Sequence, residues 1–236
     1  MDKAAISLVI PVFNAERYIA ATIESVLAQT VPADEIIAVI DGATDGTPAI
    51  LAGYSDRLTL IVQANRGLCA ALNRGVEASR HPFLCFLDHD DLWVPDKLKK
   101  QMEWLTRHPE TEAVFGYARQ FISEELDEKN RSRLLCPPEP QPGIAKTTML
   151  IRRAAFERVG GFDETLRCGD FVDWFARARD VGLRTHVLTD VVTLRRLHTD
   201  NMGVLQNRQQ QLEYITVLKR TLDRRRARAL DPLERI

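Results

Sequence analysis

The sequence has 236 residues, of which 45% are hydrophobic and 28% charged; this excludes a disordered chain and predicts one globular domain by default. The 32 lysines and arginines nearly balance 33 aspartates and glutamates, so the net charge of −1 gives no whole-molecule attraction for nucleic acid. The longest charge-free stretch, Ala4–Ala15, has 12 residues and is too short to span a membrane, and four scattered cysteines favour a reducing compartment over a disulfide framework.

The first half of the chain alternates short apolar strands with amphipathic helices. Apolar runs predict four strands, at Ile6–Ile10, Ile36–Ile40, Leu58–Val62 and Phe83–Leu87. Helical spacing predicts helices between them, at Tyr18–Leu27, Gly46–Tyr54 and Leu68–Val76, and Pro95 opens another. Near-continuous apolar strands separated by helices indicate an α/β fold, with a mostly parallel central sheet flanked by helices.

The second half is less regular. Further strands are predicted at Ala113–Tyr117, Thr147–Ile151 and His186–Val192, and helices at Ala154–Val159 and Phe171–Asp180. Between them, the charged segment Arg119–Arg133 is expected to be exposed, and four prolines in Leu134–Gly143 predict a loop or lid. A C-terminal helix is predicted from apolar residues that share one face: Leu205, Leu212, Ile215, Leu218 and Leu222.

Acidic residues stand where two of the predicted strands end. Asp41 follows the second strand and Asp88 the fourth. In an open α/β sheet, ligands bind beyond the carboxyl ends of the strands, near the point where the strand order reverses. Pro11–Asn14, Asp41–Asp45 and Asp88–Asp91 are therefore expected to meet in one crevice.

The stretch Asp88-His89-Asp90-Asp91 predicts a cation site. Three carboxylates within four residues repel one another unless a cation lies among them. Mg²⁺ and Mn²⁺ commonly bind one or two carboxylates together with substrate phosphates. The alternative interpretation is an acidic N-terminus of the helix that begins near Pro95.

Several motifs, in this order, resemble those of family 2 glycosyltransferases of the GT-A fold. They are Pro11-Val-Phe-Asn14, Ser25-x-x-x-Gln29-Thr30, Asp41-Gly-Ala-Thr-Asp45-Gly-Thr47, Asn65-Arg-Gly67, Leu87-Asp-His-Asp-Asp91, Leu150-Ile-Arg-Arg, Val159-Gly-Gly-Phe-Asp163-Glu164, Gly169-Asp-Phe-Val-Asp173 and Arg196-Leu-His198-Thr-Asp-Asn201. The resemblance covers about residues 5–202. It implies a Rossmann-like GT-A domain and metal-dependent, inverting transfer from a UDP-sugar to a hydroxyl acceptor, with Mn²⁺ or Mg²⁺.

The resemblance also implies roles for individual positions. The residues implied to bind the nucleotide-sugar are Pro11, Val12, Asn14, Glu16, Asp41 (on the base, typically uracil), Arg66, Asn73, Asp88 and His89. Asp90 and His198 are implied to bind the metal. Other interpretations stay open for four positions. Asp45 could cap a helix, Asn73 could be a buried polar contact, Glu16 a first-turn carboxylate and His198 a surface histidine.

The catalytic base departs from the family pattern. Inverting transfer needs a carboxylate that takes the proton of the acceptor hydroxyl. The family's motif, aligned on Arg177, places Phe171 at the usual base position, so Asp170 or Asp173 is expected to serve instead. Asp170 is favoured because it lies at the start of a helix; the alternatives are an N-cap for Asp170 and an ion pair with Arg177 for Asp173. Trp93 and Trp174 could border the acceptor site or simply pack.

The predicted domain covers residues 1–204, with a nucleotide-binding half to about 92 and an acceptor-binding half over 93–204. Residues 205–236 are predicted to form a basic amphipathic helix. Three interpretations fit its cations: a solvated face, a dimer contact or contact with an anionic membrane; these cations are Lys219, Arg220, Arg224, Arg225, Arg226 and Arg228. Met1-Asp2-Lys3 leads directly into a strand, so no secretory signal is expected, and a cytoplasmic location fits, with possible contact at the inner membrane face. Alternatives to a transferase are a nucleotidyltransferase and a non-catalytic nucleotide-sugar-binding module; no partner nucleic acid is expected.

Overall fold

The computed structural model describes residues 5–201 and 207–230, with side chains over 5–201 and 211–227. Within these residues, nine strands form one sheet. The strands are β1 Ile6–Val12, β2 Glu35–Asp41, β3 Thr59–Gln63, β4 Phe83–Phe86, β5 Leu92–Trp93, β6 Ala113–Ile122, β7 Gln141–Gly143, β8 Leu150–Arg152 and β9 Thr185–Leu197. The helices are α1 Ile19–Leu27, α2 Thr47–Ala52, α3 Leu68–Ala78, α4 Lys97–Arg107, α5 Glu128–Arg131, α6 Arg153–Val159, α7 Asp170–Asp180 and α8 Asn207–Leu230.

The strand order places the carboxyl ends of β1, β2 and β4 side by side. Neighbouring strands follow the order β3-β2-β1-β4-β8-β6-β9-β5, and β7 pairs with β6. β1 runs parallel to both β2 and β4, and β6 runs parallel to β9, whereas β8 is antiparallel to its neighbours β4 and β6. The order reverses at β1, so a crevice is expected beyond its carboxyl end. The predicted α/β fold with a mostly parallel sheet is confirmed.

Alternate residues of β1 pack on opposite faces of the sheet, as the period of a strand requires. Leu8 and Ile10 join a core with α1 and α4, whereas Val9 joins a second core with α3, α6 and α7. All three side chains are fully buried. The sheet is therefore covered by helices on both faces.

The second half differs from the prediction in three places. β6 and β9 extend to Ile122 and Leu197 because they pair with each other, and pairing with a neighbouring strand outweighs a polar sequence. Gln141–Gly143, within the predicted loop, forms β7 on the edge of β6. The predicted strand over Thr147–Ile151 instead starts in a 3₁₀ turn, Lys146–Thr148, which precedes β8.

The predicted C-terminal helix is present as α8, but its apolar row faces away from the rest of the protein. α8 packs on α7 and the loop before it through Glu213, Val217 and Thr221, which are buried. The apolar row is 45–64% exposed and consists of Leu212, Ile215, Leu218 and Leu222. Leu205 and the side chain of Arg228 lie outside the described residues. Over the described ranges, no helix is both long and apolar enough to cross a membrane.

Candidate active site

The loops that follow β1 and β2 are hydrogen-bonded to each other. Asn14 has a left-handed backbone (φ 45°), and its Oδ1 accepts a hydrogen bond from the N–H of Thr44 at 2.8 Å. Glu16 Oε2 accepts from the N–H of Gly46 at 2.7 Å, and Asp45 Oδ2 accepts from the N–H of Glu16 at 3.1 Å. Asn14 and Glu16 therefore shape the rim of the crevice through the backbone of the neighbouring loop.

Three more predicted residues lie at or beside this rim. Pro11 and Val12 are buried at the end of β1, and the carbonyl of Pro11 lies 3.3 Å from His89 Nδ1. Asp45 Oδ1 accepts from the N–H of Thr47 at the start of α2, at 3.1 Å. The contact of Asp45 matches its interpretation as a cap.

Asp41 orders the loop that leads into α3. Its side chain is buried, and its Oδ1 accepts hydrogen bonds from Gln63 Nε2 and the N–H of Arg66, both at 2.8 Å. Its Oδ2 accepts from the N–H of Gly67 at 2.8 Å. The next residue, Gly42, has φ +70°, and an added Cβ would lie 2.6 Å from the backbone N of Asn65. Asp41 is thus fixed at the crevice with its carboxylate held by the chain itself.

Arg66 and Asn73 hold the loop between α6 and α7. Arg66 Nη2 lies 3.2 Å from Glu164 Oε2, and Asn73 Nδ2 donates to Glu164 Oε1 at 3.1 Å. The Asn73 amide also donates to the carbonyl of Phe162 at 2.9 Å and accepts from its N–H at 2.8 Å. Asn73 is half-buried, and these contacts hold the loop that contains Phe162 and Glu164; its implied role at the nucleotide-sugar stays a prediction.

The structure brings Asp90 and His198 together although 108 residues separate them. His198 Nε2 lies 2.9 Å from Asp90 Oδ2, and Asn201 Nδ2 donates to the same oxygen at 3.2 Å. Asn201 Oδ1 accepts from the N–H of His198 at 2.6 Å, which fixes the segment after β9. His198 is only 5% exposed, so the alternative of a surface histidine is wrong.

The carboxylates of the acidic motif differ in their electrostatics. Burial raises the pKa of Asp90, but hydrogen bonding to His198 and the nearby imidazoles outweigh it, so the net pKa lies below the ordinary value. Burial and the neighbouring carboxylates of Asp90 and Asp88 raise the pKa of Asp91 well above its usual range. Asp91 Oδ1 accepts from the N–H of Arg196 at 3.0 Å. Asp90 is therefore the member of this motif best suited to remain ionised.

Arg196 and the aromatic rings beside it, which the sequence did not mark as site residues, hold the backbone of Asp90 in place. Arg196 Nε donates to the Asp90 carbonyl at 3.0 Å, and its guanidinium lies 4.8 Å from the ring centres of both Tyr18 and Phe121. The Tyr18 ring is 4.7 Å from that of His198. Arg196 belongs to one of the motifs above, but neither its charge nor its spacing showed that its guanidinium lies against two aromatic rings.

Next to the acidic motif lies a cavity of about 390 Å³. Its lining joins the end of β4 to α7, the turn before β8 and α8. The lining includes Asp88, Lys146, Asp170 and Phe171. The walls of the cavity therefore come from both halves of the chain.

Lys146 is a site residue that the sequence analysis missed. Its Nζ lies 3.4 Å from Asp88 Oδ1 and 3.3 Å from Asp170 Oδ2. Burial raises the pKa of Asp88, and the Lys146 ammonium offsets part of that rise. Burial lowers the pKa of Lys146, but the two carboxylates raise it above its ordinary value, so it is charged. No sequence pattern marked this lysine, because its partners lie 58 and 24 residues away along the chain.

Asp170 and Asp173 have different surroundings. Asp170 lines the cavity at the start of α7, and its buried Oδ2 has the Lys146 ion pair as its close contact. Asp173 Oδ2 instead accepts from Arg177 Nε at 2.8 Å, with Arg224 3.8 Å from its other oxygen. Phe171 lines the cavity and packs on Trp174 at 5.8 Å between ring centres. The geometry favours Asp170 over Asp173 as the group that faces a substrate.

Neither tryptophan considered for the acceptor site faces the cavity. Trp93 and Trp174 are at most 3% exposed. Trp93 Nε1 donates to the carbonyl of Thr147 at 3.1 Å, and Trp174 Nε1 donates to that of Gly160 at 2.9 Å. Both are packing residues, and the acceptor interpretation is wrong for them.

Within the described residues, no group of three or more His, Cys, Asp or Glu side chains is placed to hold a metal ion. Asp90 and His198 nevertheless offer one carboxylate and one imidazole. This small set fits Mg²⁺ or Mn²⁺, which complete their coordination with phosphate oxygens and water.

Comparison with known proteins gives the family. A profile described as "Glycosyl transferase family 2" matches residues 7–162. The chain belongs to this family. This family 2 chain is 31% identical over 188 residues to an uncharacterized glycosyltransferase of Rickettsia typhi, covering 72% of this chain and 57% of that protein. It is 39% identical over 125 residues to the putative glycosyltransferase EpsH of Bacillus subtilis, covering 51% of this chain and 36% of EpsH. The family 2 chain thus spans little more than half the length of the first relative.

Solved structures share the fold of this family 2 chain. Staphylococcus aureus TarS, solved in complex with UDP, matches with a TM-score of 0.66 and 20% identity, over 83% of this chain and 61% of that one. A mannosyltransferase from Pyrobaculum calidifontis, solved with GDP-Man and Mn²⁺, matches with a TM-score of 0.64 and 20% identity, over 83% and 58%. These likenesses show the fold, and the GT-A architecture expected from the motifs is confirmed.

Proposed function

We propose that this chain is a metal-dependent, inverting glycosyltransferase that moves a sugar from a UDP-sugar to a hydroxyl acceptor. The observation that carries the proposal is the convergence of the Asp90–His198 pair and the Asp88–Lys146–Asp170 group beside one cavity. Family membership and the ligands named for TarS and the Pyrobaculum enzyme support a nucleotide-sugar donor.

Asp90 and His198 are the residues proposed to hold Mn²⁺ or Mg²⁺. A divalent ion bound there supplies positive charge that neutralises the diphosphate as it departs. Asn201 and Arg196 keep the two ligands in place through Asp90. The ordered loops that carry Asn14, Asp41 and Arg66 would line the nucleotide.

Asp170 is the proposed catalytic base. The acceptor hydroxyl attacks the anomeric carbon, its proton passes to the Asp170 carboxylate, and the bond from that carbon to the diphosphate oxygen breaks. Attack from the face opposite the leaving diphosphate inverts the configuration at the anomeric carbon. Asp173 is not among the residues that line the cavity, and its Oδ2 accepts from Arg177 Nε within the same helix, so we assign it to holding α7 and not to the proton transfer.

The donor site is tested by thermal stabilisation with UDP-glucose, UDP-GlcNAc, GDP-mannose and free UDP, each with Mn²⁺ or EDTA. A ligand that binds only the native state raises apparent stability with the logarithm of its concentration over Kd. A Mn²⁺-dependent shift with UDP species, lost in Asp90→Ala and kept in Asp56→Ala, an exposed aspartate, supports the proposal. A thermal shift with GDP-mannose alone would mean that the donor carries guanine instead of uracil. No shift with any nucleotide would overturn the donor site.

The catalytic base is tested by measuring two rates: the release of UDP when water is the acceptor, and the transfer of the sugar to candidate glycan and lipid acceptors. Replacing the base lowers turnover by about 10²- to 10⁴-fold. Asp170→Asn should show this loss with donor binding unchanged, whereas Asp173→Asn should lose stability first. Wild-type protein that binds donor but never turns over would make this chain a non-catalytic nucleotide-sugar-binding module, the interpretation that Phe171 had raised.

We also propose that α8 contacts an anionic membrane surface, which would fit a cytoplasmic protein at the inner membrane face. The exposed row described above is bordered by the exposed cations Lys219 and Arg226, whereas Arg224 and Arg225 pair with Asp180. Cosedimentation with phosphatidylglycerol vesicles, but not phosphatidylcholine vesicles, is expected.

A matched control distinguishes vesicle binding through α8 from binding through any exposed leucine. Leu218→Asp should release the protein from the vesicles, and Leu135→Asp, which changes an exposed leucine elsewhere, should not. No dependence on the anionic lipid, or a dimer in solution that Leu218→Asp dissociates, would contradict the membrane proposal.

A further inference from the structure

Lys146 connects the two halves of the candidate site. Its ammonium lies between Asp88, at the end of β4, and Asp170, at the start of α7. The side chains of Lys146 and Asp170 are 12% and 7% exposed, so both charges are largely removed from water. A buried carboxylate needs a partner to stay ionised, and Lys146 is the cation that contacts both of these carboxylates.

The backbone that carries Lys146 is held by hydrogen bonds from several elements. The carbonyl of Thr147 accepts from Trp93 Nε1 of β5 and from Thr193 Oγ1 of β9, both at 3.1 Å. The carbonyl of Thr148 accepts from Gln101 Nε2 of α4 at 2.7 Å. A turn fixed by three elements places the ammonium at a defined point of the cavity wall.

The carboxylate of Asp170 depends on that ammonium. Asp170 Oδ2 is buried and, among the described residues, has no hydrogen bond of good geometry; its close polar contact is the Lys146 ion pair at 3.3 Å. Phe171, the next residue of α7, lines the cavity and packs on Trp174, and it offers no polar group to Asp170. Without the lysine, the Asp170 carboxylate would face the Asp88 carboxylate without the ammonium that now lies between them.

We propose that Lys146 is a positioning residue for the transfer reaction. Its ammonium contacts Asp88 and Asp170 together, and so holds the Asp170 carboxylate close to Asp88 in the cavity wall. This inference rests on the proposed function. Lys146, in the turn before β8, is thereby added to the proposed active-site residues, which otherwise lie at the strand ends, after β9 and in α7. The step it serves is proton transfer to Asp170, either from an acceptor hydroxyl or from water in donor hydrolysis.

The test is a double-mutant cycle in donor hydrolysis, with UDP-GlcNAc and GDP-mannose as the donors and Mn²⁺ present. In this reaction a water oxygen attacks the anomeric carbon, the bond to the diphosphate breaks and the proton goes to Asp170. Misplacing a catalytic group by about 1 Å can cost about 10²-fold in rate, so Lys146→Met is expected to lower kcat about 10- to 100-fold with little change in donor KM. Lys146→Arg should recover part of this loss.

In the Asp170→Asn background, Lys146→Met should lower kcat by less than about 3-fold, because residues that act through one group are not additive. Multiplicative losses, or a change in KM alone, would overturn the inference while the proposed function stands. If Lys146→Met does not fold, as judged by circular dichroism, Lys146→Gln takes its place in the same cycle, because it also removes the positive charge but keeps a polar side chain in the cavity wall. Absence of both donor binding and hydrolysis in the wild-type protein would overturn the proposed function and this inference together.

Discussion

Lys97 is a buried cation whose replacement should make the protein more stable at neutral pH. Its side chain is fully buried, with Nζ 2.6 Å from Gln101 Oε1 and 4.3 Å from the centre of the Trp93 ring. Burial lowers the pKa of Lys97 from 10.5 to about 8. The unfolded chain therefore binds more protons than the native one between these values, and stability rises with pH across that interval.

The size of this effect follows from the two pKa values. One pKa unit corresponds to about 1.4 kcal/mol, so a fall from 10.5 to about 8 represents about 3 kcal/mol in total. About 2 kcal/mol of this should appear between pH 7 and pH 9.5, by integration of the linkage relation. Between these pH values, the free energy of unfolding of the wild-type protein should rise by this amount relative to that of Lys97→Met, which carries no titrating group at position 97.

The assay is urea unfolding of both proteins at several pH values between 7 and 9.5. Titration of other groups cancels in the difference between the two curves, and the buried thiol of Cys85, with its pKa raised to about 12 by burial, stays protonated throughout. Lys97→Met should be the more stable protein at pH 7, and its advantage should shrink as the pH rises. A difference that is constant or grows with pH would refute the idea that Lys97 is buried as an ammonium.

Three further predictions concern the elements that hold the site. Glu213 Oε2 accepts three backbone N–H bonds, from residues 167, 168 and 169, at 2.7–3.0 Å, so Glu213→Gln should cost about 1–3 kcal/mol in urea unfolding; no loss would mean that α8 does not hold this loop. Asp173→Ala should cost about 1–3 kcal/mol, because Arg177, whose side chain is 21% exposed, loses its carboxylate partner but keeps its hydrogen bonds to the carbonyls of Val159 and Gly161; a thermal scan that matches wild type would contradict this. Trp93→Phe should lower the free energy of unfolding by about 1 kcal/mol, because the hydrogen bond to the carbonyl of Thr147 is lost. Its donor affinity, measured by calorimetry, should be unchanged; a weaker affinity would mean that Trp93 contributes to the binding site.

The first half of the chain could be predicted from sequence because its signals are local. β1, β2 and β4 are near-continuous apolar runs, and the residue after each run stands at the carboxyl end of a strand whatever the details of packing. The convergence of Asp41 and Asp88 at one edge needed only strand order. His198 could be assigned only through the family motif, because the sequence alone does not show that the chain returns to Asp90 after β9.

The other half could not be predicted because its contacts are long-range. Lys146 lies just before the segment that was expected to be a strand, and its role depends on carboxylates that follow β4 and begin α7. The polar ends of β6 and β9 form strands only because they pair with each other. Periodicity placed Ile215 and Leu218 on one face of a helix, but it did not say that this face points to solvent; Glu213 and Val217 on another face make the packing contacts.

The most direct test of the central claim is calorimetric titration of UDP-GlcNAc, UDP-glucose and GDP-mannose into the wild-type protein and His198→Asn. The account predicts that at least one of these donors binds with Mn²⁺, and that EDTA or His198→Asn weakens its affinity by about 10-fold or more, as expected for loss of a metal ligand or its partner. Asp56→Ala should bind like wild type. Donor affinity that is the same with Mn²⁺ and EDTA, and the same in His198→Asn, would contradict a metal-dependent donor site at Asp90 and His198.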